Sequence, residues 1–158
     1  MGAVSLQNLS SFTLLESPTK VKNLAENAKK KGYSAIALTD INITYGLVDF
    51  YKAAKDTGIK PLLGMQLRIN GLIDEANKYD LIVIAKDDQG YKNILRLSSA
   101  VNLLTENGEK ENVLTFEDFK KYLGHLILIT PSNLHSELKM LQTNNPKMGA
   151  NYLRKLQD

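Results

Sequence analysis

The chain has 158 residues, 43% of them apolar and 23% charged, the balance of an ordinary globular domain with a sizeable core rather than of a disordered segment. The 20 basic and 17 acidic residues leave a net charge of +3, too small an excess to argue for nucleic-acid binding by itself. The absence of cysteine excludes disulfides and thiolate chemistry, so metal ligation would fall to His125, His135 and the carboxylates. No apolar run approaches the roughly 18 to 20 residues that cross a bilayer, and the N-terminus lacks a secretory pattern. The expectation is a cytoplasmic protein with no membrane partner.

Short β-rich runs alternate with amphipathic helical stretches, which predicts βα units and an α/β fold with a mainly parallel sheet or barrel. Val4 to Gln7 reads as a first strand. Ser17 reads as an N-cap with Pro18 at the first helical position; Val21, Leu24, Ala25 and Ala28 follow at helical spacing, and Gly32 stops the helix. Lys29, Lys30 and Lys31 fall in its last turn, where cations suit the negative end of the helix dipole, so they need no DNA contact to explain them. Ala35 to Thr39 is a continuous apolar run of the kind that fills a strand buried on both faces, and it delivers Asp40 to a strand end.

Leu47, Phe50, Tyr51 and Ala54 make the next helical stripe, closed by Gly58, and Ile59 to Ile69 carries a third strand. Asn70-Gly71 marks a turn, Leu81 to Ala85 a fourth strand, and Tyr91 to Val101 a helix after an Asp87-Asp88 start signal. Residues 105–114 read as an exposed loop. Thr115 caps a short helix, Leu126 to Ile129 is a fifth strand, and helices are expected near Leu134 to Leu141 and from Pro146 to the end of the chain.

In α/β folds the residues at strand ends form the site, and here they are a poor catalytic inventory. Asp40 is the one charged group among them, whereas a metal-dependent hydrolase needs several converging ligands. The residues alone favour a turn-forming or capping Asp40, and structural or surface roles for His125 and His135. Ser10 and Ser11 lack a base partner, and no Gly-rich phosphate loop is present.

Four blocks nevertheless occur in a telling order: Ser10 to Glu16, Ala37 to Asp40, Tyr45 to Lys55, and Gly58 to Gly64. Together they resemble the opening of the PHP (polymerase and histidinol phosphatase) domain of bacterial DNA polymerase III alpha subunits. The likeness continues more loosely through Ala85 to Asn93 and covers most of residues 4 to about 132.

This resemblance implies a distorted (β/α)7 barrel with mainly parallel strands, of which residues 1–158 would be the N-terminal part, completed beyond the end of the chain. It also implies metal ligands at strand ends. The His-x-His positions after the first strand read Gln7 and Leu9 here, and the Asp-His pair after the second reads Asp40-Ile41. The Glu after the third strand reads Gln66, a His before the fourth reads Asp80, and a later Cys reads Ser132. Asp40 alone keeps its family identity. Leu and Ile offer no lone pair and a neutral amide ligates weakly, so the expectation is a degenerate metal site with no catalytic residue and no cofactor, Asp40 being the residual ligand if there is one.

The implied role is that of a noncatalytic structural and docking segment of a replicative DNA-directed DNA polymerase, a nucleotidyltransferase. Its partners would be the remainder of the alpha subunit and a proofreading exonuclease subunit. DNA, and the Mg of the polymerase domain, would be engaged by the parent polymerase, whose catalytic carboxylates would lie beyond Asp158. The alternative is a residual metal-dependent phosphoesterase or 3'-5' exonuclease activity using Asp40 with Asp80, His135 or residues beyond Asp158. A small-molecule enzyme of TIM-like architecture is the third reading, since fold alone excludes little. An incomplete barrel would expose strand edges, which predicts dimerisation, strand exchange or marginal solubility.

Overall fold

The computed structural model describes residues 2–103, 114–131 and 135–157. Among these the elements run β1 (Ala3–Ser5), α1 (Val21–Lys30), β2 (Tyr33–Leu38), α2 (Leu47–Thr57), β3 (Lys60–Asn70) and β4 (Lys78–Ala85). They continue with α3 (Asp88–Val101), α4 (Phe116–Lys120), β5 (Leu126–Ile129), α5 (Glu137–Asn144) and α6 (Pro146–Gln157).

The strands form one sheet in the order β1-β2-β3-β4-β5. β1, β2 and β3 are mutually parallel because a helix returns the chain between each pair, whereas β4 follows β3 through a short connection and runs antiparallel to both β3 and β5. The sheet is thus mainly parallel in strand direction, with β4 as the reversed strand. The Asn70-Gly71 turn signal marks where the reversal begins.

Period-two alternation sorts the strand residues onto two faces. Ile36, Leu38, Met65, Leu67, Ile69, Leu81, Val83 and Leu126 meet Ala25, Ala28, Leu47, Phe50, Ala54, Ile94 and Leu97 of the helices in the main core. Ala37, Ile82 and Ile84, with Leu62 and Ile129, make a thinner cluster on the other face. A cavity of about 490 Å³ opens there, walled by Leu62, Ile84, Ile127 and Ile129. Gly64 lets β3 and β4 approach closely, since a Cβ on it would stand 2.6 Å from the Val83 carbonyl oxygen.

Several boundaries move. β1 ends at Ser5, which leaves Gln7 in the following loop, and β4 begins at Lys78, which places Asp80 inside the strand rather than before it. Gln66 likewise lies within β3, not after it. Ser17 does not cap α1: the helix starts at Val21 after Lys20. The Ser17 hydroxyl donates to the Leu9 carbonyl (3.0 Å) and accepts from the Thr19 N–H (3.2 Å), which closes a turn ahead of the helix. Gly58 ends α2 in the left-handed conformation at φ 67°, as its position predicts. Asp87 caps α3 by accepting from the Gly90 N–H, and Thr115 caps α4. The expected 105–114 loop lies almost wholly outside the described residues; Leu114 is buried.

The expected helix near residue 134 begins instead at Glu137, after a Ser136 cap. Glu137 is buried, and its carboxylate accepts from three consecutive backbone N–H groups of the β3–β4 connection: Leu72 (2.7 Å), Ile73 (2.7 Å) and Asp74 (2.8 Å). Gly71 makes room for this contact, because a Cβ there would lie 2.6 Å from the Glu137 Oε1. The α5–α6 pair is thereby fastened to the sheet.

Candidate functional site at the strand ends

The buried end of β2 carries Thr39 and Asp40 into the interior, where they are 0% and 2% exposed. The Asp40 Oδ1 accepts from the Ser10 N–H (2.6 Å) and the Thr13 hydroxyl (2.8 Å), while Oδ2 accepts from the Ser10 hydroxyl (2.7 Å). The same hydroxyls accept in turn: Thr13 Oγ1 from the Ile41 N–H (3.1 Å) and Ser10 Oγ from the Phe12 N–H (3.2 Å). Beside them the Thr39 hydroxyl accepts from the Asn8 N–H and donates to the Asn8 carbonyl, both at 3.1 Å. The loop after β1 is thus stitched to the end of β2. Hydrogen bonds to a charged group contribute about 1.5–3 kcal/mol each, which makes Asp40 a strong anchor.

A second polar chain crosses the neighbouring strands. Gln7 donates to the Gln66 side-chain oxygen (2.9 Å), and the Gln66 amide donates to Asp80 Oδ2 (2.8 Å). Arg68 grips the same carboxylate with two nitrogens, Nε to Oδ1 at 2.8 Å and Nη2 to Oδ2 at 3.2 Å. Its remaining nitrogen lies 3.9 Å from Glu16. Strand register builds this arrangement: Arg68 is directly opposite Asp80, and Gln66, two residues earlier on β3, shares its face and reaches Asp80 diagonally. The bond to Asp80 raises the Arg68 guanidinium above its ordinary pKa, against the opposing effect of burial.

Gln7, Gln66 and Asp80 are therefore brought together, while Asp40 turns its carboxylate toward the β1–α1 loop. Leu9 and Ile41 carry no lone pair, and Ser132 lies outside the described residues. His135 contributes a carbonyl that accepts from the Asp80 N–H (2.8 Å). His125 sits beyond the opposite end of β4, its Nδ1 2.7 Å from an Asp87 oxygen, with both side chains about half exposed. The Gly90 N–H and then His125 hold Asp87 below the usual carboxylate range.

Sequence reasoning missed Arg68 and Glu16. The signal for Arg68 was a lone charge in the apolar run of β3, on the same face as Gln66; nothing marked Glu16, which meets Arg68 only across the fold.

These donors do not suit a divalent cation. Each oxygen of Asp40 and of Asp80 already accepts from the protein, both ends of the Gln66 amide are engaged, and the Asp80 carboxylate is gripped by a guanidinium. Among the described residues, no three His, Asp or Glu side chains are grouped to hold a metal.

Comparison with known proteins agrees with the strand arrangement. The DNA polymerase III subunit alpha of Halalkalibacterium halodurans is 32% identical over 158 residues, which is 100% of this chain and 14% of that protein. The corresponding subunit of Bacillus subtilis is 36% identical over 131 residues, 83% of this chain and 11% of that one. That of Borreliella burgdorferi is 39% identical over 126 residues, 75% and 11% respectively. The chain thus spans at most 14% of the length of these curated relatives. A solved structure from Bifidobacterium adolescentis, described as a metal-dependent phosphoesterase, shares the fold with a TM-score of 0.51 at 19% identity, over 63% of this chain and 32% of that one. The PHP domain model matches residues 5–158, and with the sheet order above this means that the chain belongs to the PHP domain family, as a partial barrel of that distorted type.

Proposed function

We propose that this chain serves as a noncatalytic PHP domain of a replicative DNA polymerase III alpha subunit, a structural and docking element whose metal site has been dismantled. The observation that carries the reading is the state of Asp40. It is the one residue that keeps a family ligand's identity, and both its oxygens are committed to Ser10 and Thr13 of the β1–α1 loop. A ligand that faces inward and is saturated by donors anchors a loop; it does not activate water.

The relatives support the polymerase assignment, since all three are alpha subunits matched over 75% or more of this chain. In this reading the remainder of such a subunit is the first partner, and a proofreading exonuclease subunit is a further one. DNA and the catalytic Mg belong to other parts of the parent enzyme. A cytoplasmic location follows from that role, and no described helix is long and apolar enough to cross a membrane.

Elemental analysis of the purified chain, followed by calorimetric titration with zinc and manganese, tests the proposal. No stoichiometric binding is expected. One or more tightly held ions would overturn it in favour of a residual metal-dependent phosphoesterase or exonuclease, in which Asp40 and Asp80 release their present donors to ligate.

A further inference from the structure

We infer that Arg68 is a built-in cation that does with a side chain what a bound metal ion would do at these strand ends: it neutralises a buried carboxylate and ties the β1–α1 loop to the sheet. The inference rests on the reading of a dismantled metal site and extends it by naming the group that took over the charge.

Three observations carry it. The Asp80 side chain is 0% exposed, and an ionised carboxylate withdrawn from water is costly unless a cation and hydrogen bonds compensate it. Arg68 supplies both through a two-pronged contact at 2.8 and 3.2 Å, the geometry for which a planar guanidinium is suited and an ammonium is not. The third observation is reach. Arg68 keeps 29% of its side chain exposed, enough to extend its free nitrogen toward Glu16 (3.9 Å) in the loop that Asp40 anchors from the other side.

Gln66, which donates to Asp80, and Gln7, which donates to Gln66, are neutral amides, so neither adds negative charge beside the buried carboxylate that Arg68 grips. A carboxylate at position 66 would set a second negative group against Asp80. Gln66 and Arg68 therefore work as a pair: the amide removes a charge that a metal would have required, and the guanidinium covers the charge that remains.

A double-mutant cycle on the 158-residue chain, read by thermal unfolding, tests the assignment. Arg68→Met should lower the midpoint by roughly 6 °C or more, because it takes the two-pronged guanidinium contact away from the buried Asp80 carboxylate. Adding Asp80→Asn to Arg68→Met should recover at least half of that loss. A loss that is the same with and without the Asp80 carboxylate, or a midpoint within about 2 °C of the unaltered chain, would overturn the proposal. Should Arg68→Met not fold, Arg68→Lys keeps the charge without the two-pronged contact, and its milder loss should likewise shrink when Asp80→Asn is added; an unchanged loss again overturns the assignment. Metal titration of the unaltered chain separates the two claims. Tight binding there sinks the functional reading, whereas an uncoupled cycle in a metal-free chain sinks only the role of Arg68.

Discussion

Two buried carboxylates, Asp40 and Glu137, hold two loops by the same means and with different consequences. Asp40 fastens the loop after β1 through one backbone N–H and two hydroxyls. Glu137 fastens the β3–β4 connection through three successive backbone N–H groups. A hydroxyl can rotate toward another acceptor when its own is removed; converging backbone N–H groups are fixed by the chain path and cannot. The lesson is that equal numbers of hydrogen bonds need not be equally hard to lose.

The first way to break this comparison is Glu137→Ala, which leaves three donors without their acceptor. It should destabilise by about 3–4 kcal/mol in urea unfolding, and a cost below about 1 kcal/mol would mean that water replaces the carboxylate. Asp40→Ala should cost less, about 2–3 kcal/mol, since two of its three donors can turn elsewhere. If Asp40→Ala proved the more damaging, the Ser10 and Thr13 hydroxyls would have no alternative acceptor to turn to.

Gly58→Ala sharpens the scale. A Cβ at Gly58 meets nothing closer than the Lys29 ammonium at 3.9 Å, so its cost of about 1–2 kcal/mol is that of a left-handed backbone alone. Both carboxylate substitutions should exceed it.

The smallest expected effect concerns alkaline pH and is confined to the Glu137 region. Burial, the bond to Asp74, and the charges of Asp74 and Glu137 push Tyr79 up to about 12. Burial and then Glu137 raise Tyr152 as well. An unfolded tyrosine titrates near pH 10, so the neutral ring's contribution is full below about pH 10 and is lost as pH rises through about 12. Tyr79→Phe should flatten that alkaline loss, measured as midpoint against pH; an unchanged slope would show that Tyr79 contributes nothing to it.

Much of the fold was legible because local and global preferences agree. The continuous apolar runs of β2 and β4, the stripe of α2 with Gly58 behind it, and the Asp87 and Thr115 caps each depend on neighbours within a few residues. The start of α1 lies beyond Ser17 because Ser17 closes a separate turn onto Thr19 while bonding Leu9, a contact invisible until the β1–α1 loop is placed. The α5 start is set by the local Ser136 cap, whose hydroxyl accepts from the Lys139 N–H; what holds α5 in place, Glu137 on the Leu72 to Asp74 backbone, spans more than sixty positions. The site divides in the same way. That Gln7, Leu9, Ile41 and Gln66 are weak ligands or none could be seen in the sequence; that Asp40 is saturated by the loop, and that Arg68 stands over Asp80, could not.

The sequence by itself determined the alternation of strands and helices, the family, and the side-chain types at the strand ends, because periodicity, caps and ligand chemistry are properties of individual residues and their near neighbours. Tertiary structure alone decided where each carboxylate points and what charge compensates it. Those choices depend on strand register and loop path, which bring Arg68 opposite Asp80 and Ser10 onto Asp40, and no short stretch of chain contains both partners.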